Sequence, residues 1–163
     1  MKNKVIIIMG VSGSGKTTIG ELLSAETGWP FYDADSFHPK ENIDKMKAGI
    51  PLTDDDRWPW LDAMNHFAKE KIKTTPVILS CSALKEIYRQ RLTKCIEESC
   101  SWIFLEGSYE LILKRMQQRR HYMPPALLQS QFDILEVPNN ALVIDVSDTE
   151  SSIVQQITAL YKI

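Results

Sequence analysis

Gly10-Val11-Ser12-Gly13-Ser14-Gly15-Lys16-Thr17 has the spacing G-x-x-x-x-G-K-[ST], which is what the cradling of a polyphosphate requires. Glycines let the main chain curl until several N–H groups point at the same oxygens. Lys16 would reach the β- and γ-phosphates of a nucleoside triphosphate, and the Thr17 hydroxyl would ligate Mg²⁺. A helix that begins here adds the positive end of its dipole. The competing reading is a Gly/Ser turn that only joins a strand to a helix. The complete motif in that context favours the cradle. With Thr18, the stretch from Gly10 to Thr18 is the expected nucleotide-binding set. It identifies a phosphate donor and leaves the acceptor open.

Acids and bases elsewhere could serve an acceptor. Asp33-Ala34-Asp35 follows a short apolar stretch, and alternation puts both carboxylates on one side if the backbone stays extended. Asp33 could hold Mg²⁺ through water, and Asp35 could take or orient the proton of an attacking hydroxyl. Both could equally make Asx-turns or cap a helix. Thr53-Asp54-Asp55-Asp56-Arg57 is similarly two-sided. Acids favour a helix N-terminus and Pro59 suits a first turn. The Arg57 guanidinium, held by adjacent acids, could bind a carboxylate bidentately. Lys85 and Arg89 stand four apart near the start of a helix, where cations oppose the dipole, which points to an anionic neighbour or else to a solvated basic face. Arg115, Arg119, Arg120 and His121 gather beside Tyr122-Met123-Pro124-Pro125. That cluster reads as a lid over the triphosphate, with one arginine stabilising the transferred group, or as a plain solvated basic turn.

These residues need a frame. Val5–Met9, Trp29–Asp33, Pro76–Cys81, Trp102–Leu105 and Ala141–Val146 read as strands, most of them continuous apolar runs of the kind a buried parallel sheet needs. Between them run helical stripes: Ile19, Leu22 and Leu23; Trp60, Leu61, Met64, Phe67, Ala68 and Ile72; Leu84, Tyr88, Leu92, Cys95 and Ile96; Leu111, Ile112 and Met116; and Ile153, Val154, Ile157, Leu160 and Tyr161. Residues 126–136 read as a further helix, and the prolines at 124 and 125 as the stop of the one before it. Alternating strands and helices make a doubly wound α/β sheet. At 163 residues, 44% hydrophobic, 25% charged and net charge −2, the chain is expected to be one globular domain with no nucleic-acid partner. No apolar run approaches a membrane span. The basic start and the five apolar residues after it are too short for a signal peptide, so the expected location is cytoplasmic. Cys81, Cys95 and Cys100 form no C-x-x-C pair, so packed thiols are expected rather than a metal site or a disulfide framework.

Together the motifs resemble the gluconokinases, small P-loop kinases related to shikimate kinases and nucleoside monophosphate kinases. The resemblance spans nearly the whole chain. It is carried by the P-loop, Asp33-Ala-Asp-Ser-Phe-His-Pro39, Lys45-Met46 and Gly49-Ile-Pro-Leu-Thr-Asp-Asp-Asp-Arg57. Pro59-Trp-Leu61, Cys81-Ser-Ala-Leu-Lys85, Tyr88-Arg89, Ser130-Gln-Phe132 and Leu135-Glu136 with Pro138 extend it. It implies a P-loop NTP hydrolase-like three-layer α/β fold, with five parallel strands in the order 2-3-1-4-5. Residues 1–163 would be a single kinase domain with a short lid near 115–125. It further implies ATP-dependent phosphorylation of D-gluconate at the 6-hydroxyl, with Mg²⁺ as cofactor, and admits a homodimer. Lys16, Asp35 and Arg119 would be catalytic. Arg115 and Arg119 would join the P-loop on ATP; Asp35, His38, Arg57 and Lys85 would bind gluconate; Thr17 and Asp33 would serve the metal. The family lid reads Arg-x-Gly-His-Phe, whereas Arg119-Arg120-His121-Tyr122 lacks the glycine and is one residue shorter. Alternatives are a kinase of the same fold acting on shikimate, another sugar acid or a nucleoside monophosphate, and a nucleotide-binding switch protein. No Asn-Lys-x-Asp or Asp-x-x-Gly supports the last.

Overall fold

The computed structural model describes residues 4–119 and 124–163. Five strands form one parallel sheet in the order β2-β3-β1-β4-β5, the order the resemblance implied. They are β1 Val5–Met9, β2 Phe31–Asp33, β3 Val77–Ser80, β4 Cys100–Glu106 and β5 Ala141–Asp145. The central strand β1 is buried throughout. Its neighbours hold it in register, Ile8 beside Ser80 and Met9 beside Phe104. Asp33 lies beside Ser80 on the other side of β3. The end of β2 is therefore level with the end of β1, where the P-loop starts.

Because side chains alternate along a strand, β1 feeds two cores. Val5, Ile7 and Met9 pack with Trp60, Leu61, Met64 and Tyr88, which stand on α3 (Asp54–Lys71) and α4 (Glu86–Thr93). Ile6 and Ile8 pack with Ile19, Leu23, Ile153 and Ile157, which stand on α1 (Lys16–Thr27) and α7 (Glu150–Tyr161). A third cluster joins Val11 of the P-loop to Leu84, to Ile112 and Met116 on α5 (Tyr109–Gln118), and to Leu128 on α6 (Pro125–Ile134). The remaining helix, α2, is Lys40–Lys47. Among the described residues no helix is long and apolar enough to cross a membrane.

Several local expectations are corrected. Helix α4 stops at Thr93 rather than reaching Ile96. Cys95 has φ 69°, a left-handed backbone that no helix interior accepts. Ile96 nevertheless packs on the core, whereas Cys95 is exposed, so tertiary contact kept one of the two end positions of the stripe. Leu22 lies on the outside of α1, 39% exposed. Pro59 falls in the second turn of α3 and is exposed rather than in the first turn. Pro124 and Pro125 do not stop α5, which ends at Gln118; they cap and open α6, where a missing N–H costs nothing. The lid expected near 115–125 includes Arg120 and His121, which lie outside the described residues.

Candidate active site

The P-loop turns where its glycines allow it. Gly13 and Gly15 have φ of 79° and 100°, values that side chains disfavour. A Cβ on Gly13 would also stand 2.7 Å from Met116. The turn brings Lys16 back over the loop, where its Nζ donates to the carbonyls of Gly10 and Val11, both at 3.0 Å. Lys16 is half-buried as a residue, with its ammonium group folded inward. That desolvation pulls its pKa down, while Asp35 and Asp33 push it back up.

Asp33 makes the cap that was one of its two expected roles, and its other oxygen meets the P-loop. Its Oδ1 accepts from the main-chain N–H of Asp35 at 2.9 Å, capping a 3-10 turn over Ala34–Phe37. Its Oδ2 accepts from the Thr17 hydroxyl at 2.8 Å. The carboxylates at 33 and 35 do not share a side through extended backbone, as the alternation argument supposed. The turn swings Asp35 round so that both line one cavity.

That cavity has a volume of about 230 Å³ and lies over the P-loop, bounded by Lys16, Thr17, Asp33, Asp35, Arg115 and Arg119. Two smaller ones adjoin it. One, about 140 Å³, shares Gly13, Gly15, Thr18, Arg115 and Arg119 and ends against Val146 and Asp148 beyond β5. The other shares Ser12, Lys16, Asp35 and Met46 with the first and ends against His38, Arg57 and Gln131. The three run in a row past the P-loop, and Asp35 stands where the second pair meet.

The far end is closely built. Arg57 Nη1 donates to the Leu52 carbonyl and, at 3.1 Å, to the Tyr88 hydroxyl, and the guanidinium stacks on the Tyr88 ring at 5.0 Å. The adjacent acids were expected to hold Arg57 directly. Instead Asp54 accepts a hydrogen bond from the Tyr88 hydroxyl and reaches Arg57 through it. Burial, then Asp54, pushes the Tyr88 hydroxyl up to about 12. Tyr88, then Lys85, holds Asp54 below its ordinary value. Asp56 serves the helix: its carboxylate accepts from Thr53 N–H and the Thr53 hydroxyl accepts in return, a capping box. It also pairs with Lys45 at 2.8 Å, which leads in pulling its pKa to about 2.

His38 lies flat against Trp60, ring centroids 4.0 Å apart. The Asn42 amide nitrogen donates to the Asp56 carbonyl at 2.9 Å and lies 3.2 Å from His38 Nδ1. A carbonyl can only accept, so that contact orients the amide. Nδ1 is then the acceptor and the proton sits on Nε2. Burial, then Arg57, lowers the imidazole to about 4. His38 therefore stands neutral at the cavity wall at neutral pH.

The structure thus gathers Ser12 to Thr18, Asp33, Asp35, His38, Arg57, Arg115 and Arg119 around one set of cavities, while Gly10 and Val11 line none of them and reach Lys16 through their carbonyls. Arg115 donates to the Val146 carbonyl at 2.7 Å, and Arg119 is exposed at the end of α5. Lys85 also stands apart. It precedes α4 and pairs with Asp54 at 3.2 Å, which supplies the expected anionic neighbour, and it lines none of the three cavities. Arg89 finds Glu86 as its own anion at 3.0 Å. The sequence reading missed Asn42, which carries no motif, and the Val146–Asp148 end. It also missed Gln131, whose only signal was its place in the Ser130-Gln-Phe132 block.

The chain matches the shikimate kinase family model over residues 12–159. It is 42% identical to a probable gluconokinase of Dictyostelium discoideum, over 94% of this chain and 84% of that one. A crystal structure of an unliganded sugar kinase from Janibacter sp. HTCC2649 superposes with a TM-score of 0.92 at 40% identity, covering 99% and 95% of the two chains. A gluconokinase structure from Sinorhizobium meliloti 1021 gives 0.85 at 44% identity, covering 95% and 89%.

Proposed function

The chain belongs to the gluconokinase branch of the shikimate kinase family, and we propose that it is the kinase that converts ATP and D-gluconate to ADP and 6-phospho-D-gluconate. The single observation that carries this reading is that Lys16 and Asp35 line both the P-loop cavity and the cavity ending at Arg57. A phosphate donor and an acceptor can then meet at one carboxylate.

The triphosphate would lie along the P-loop N–H groups, with its nucleoside toward Val146 and Asp148 and its γ-phosphate toward Asp35. The gluconate carboxylate would meet Arg57, leaving the 6-hydroxyl at the other end of the molecule near Asp35. As the hydroxyl oxygen forms its bond to Pγ, its proton passes to the Asp35 carboxylate, and the Pγ–O bond to the β-phosphate breaks to leave ADP. Lys16 and Arg119 offset the charge on the transferred group. His38, neutral with its proton on Nε2, can donate to a substrate oxygen. Lys85 would act on substrate only at second hand, through Asp54 and Tyr88.

Thr17 and Asp33 fit Mg²⁺. They put a hydroxyl and a carboxylate oxygen 2.8 Å apart, and this ion takes one or two protein oxygens together with phosphate oxygens and water. When bound, it would neutralise phosphate charge. The reading extends to a single domain over residues 1–163 with a lid near 115–125, a cytoplasmic location and a homodimer.

Acceptor-dependent ADP release tests the assignment, with D-gluconate, shikimate, related sugar acids and a nucleoside monophosphate offered separately. Gluconate is expected to give the highest kcat/KM. A higher value for any other acceptor would overturn the substrate assignment.

A further inference from the structure

Gln131 stands on α6, 119 positions along the chain from Ser12, yet its amide holds Ser12 at two points. The Ser12 main-chain N–H donates to Gln131 Oε1 at 2.7 Å, and Gln131 Nε2 donates to Ser12 Oγ at 3.0 Å. A main-chain N–H can only donate, so the amide has one orientation here. Ser12 belongs to the phosphate loop and lines the two cavities that meet at Asp35. Leu127, Ser130 and Gln131 line the acceptor cavity alone. One side chain therefore ties the loop that receives the donor to the helix that walls the acceptor.

The rest of the contact cannot do this by itself. Val11 and Leu128 share an apolar cluster, and apolar packing has little directional preference. Beyond α6 the chain is fixed elsewhere: Glu136 N–H donates to the Leu84 carbonyl at 2.8 Å, and buried Arg89 donates to the Glu136 carbonyl at 3.0 Å. Among the described residues, the amide fork on Ser12 is the directional contact from α6 to the phosphate loop.

We propose that Gln131 is a positioning residue that couples the two halves of the site. Phosphate bound in the P-loop fixes the main chain at Ser12, and the fork passes that constraint to α6 and the acceptor wall. The proposal rests on the phosphotransferase reading, but its test needs no acceptor.

Hydrogen–deuterium exchange of the α6 amides, with and without saturating Mg²⁺-ADP, reads the coupling directly. In the natural protein ADP is expected to slow exchange in residues 125–134 by about tenfold, the scale of two net hydrogen bonds. In Gln131→Ala the slowing should fall below about twofold while the ADP Kd stays within about threefold of the natural value, because the binding amides remain. A merely structural role would weaken ADP binding or speed exchange equally with and without ADP. Ser12→Ala removes only the hydroxyl half of the fork and should lose part of the slowing, which serves if Gln131→Ala fails to fold. Undiminished slowing in either variant, or no slowing in the natural protein, overturns the proposal. In steady state Gln131→Ala should raise the gluconate KM more than the ATP KM. Absence of gluconate turnover in the natural protein would count against the substrate assignment and leave the ADP result standing.

Discussion

Asp33, His38 and Arg57 each show how a polar side chain is fixed by partners that local sequence does not reveal. Asp33 divides its two oxygens between a turn and the Thr17 hydroxyl. Arg57 is set by a carbonyl five residues back and by a tyrosine on another helix. His38 has its tautomer chosen by Asn42 and its charge suppressed mainly by burial. The last case predicts a pH dependence of stability. The unfolded chain takes up the imidazole proton near 6.5, and the folded chain does so only near 4. Between those values the unfolded state holds the extra proton, so stability present above pH 6.5 is lost as pH falls toward 4. The slope from this group is at most about 1.4 kcal/mol per pH unit. Urea unfolding at pH 7, 6 and 5 should show a shallower loss for His38→Gln than for the natural protein. Parallel losses in the two would contradict a neutral His38.

At the scale of elements, the site depends on β2 ending level with β1, and α1 must lie close to β2 for that. Gly20 provides the approach: a Cβ there would stand 2.2 Å from the Phe31 ring. Gly20→Ala gains about 1 kcal/mol of helix propensity against about 1–3 kcal/mol for overpacking. We expect a net loss of about 1 kcal/mol, since a ring edge at that distance must move bodily. Equilibrium urea denaturation checks this, and a stabilised variant would show that β2 yields freely. Strands β1, β3 and β4 were legible because buried parallel strands are continuous apolar runs, as Val5–Met9 illustrates, whereas the outer strands β2 and β5 are only partly buried. Helix ends were less legible. Ile96 packs on the core although the helix has already ended and the exposed Cys95 before it takes a left-handed backbone, because the core selects side chains without regard to the backbone that delivers them. Of the site, the phosphate loop was fully legible, being local. The Ser12–Gln131 fork was not, since nothing in either segment announces a partner 119 positions away.

For the molecule as a whole, the fold arranges three adjoining cavities past a single loop and places Asp35 at the junction of two of them. The sheet order supplies this arrangement, with β1 central and the functional loops leaving the same edge. The mildly acidic balance of the chain, net charge −2, leaves the positive charge of the site, among the described residues, to a few: Lys16, Lys47, Arg57, Arg115 and Arg119. If transfer occurs at the junction, removing the Asp35 charge should separate binding from turnover. The measurement is gluconate-dependent ADP release by Asp35→Asn, with the ATP Kd determined in parallel. Loss of a positioned proton acceptor predicts a fall in kcat of about 10²–10⁴, with the ATP Kd within about threefold of the natural value. Near-normal turnover would contradict the account, because the carboxylate shared by the two cavities would then have no part in the transfer.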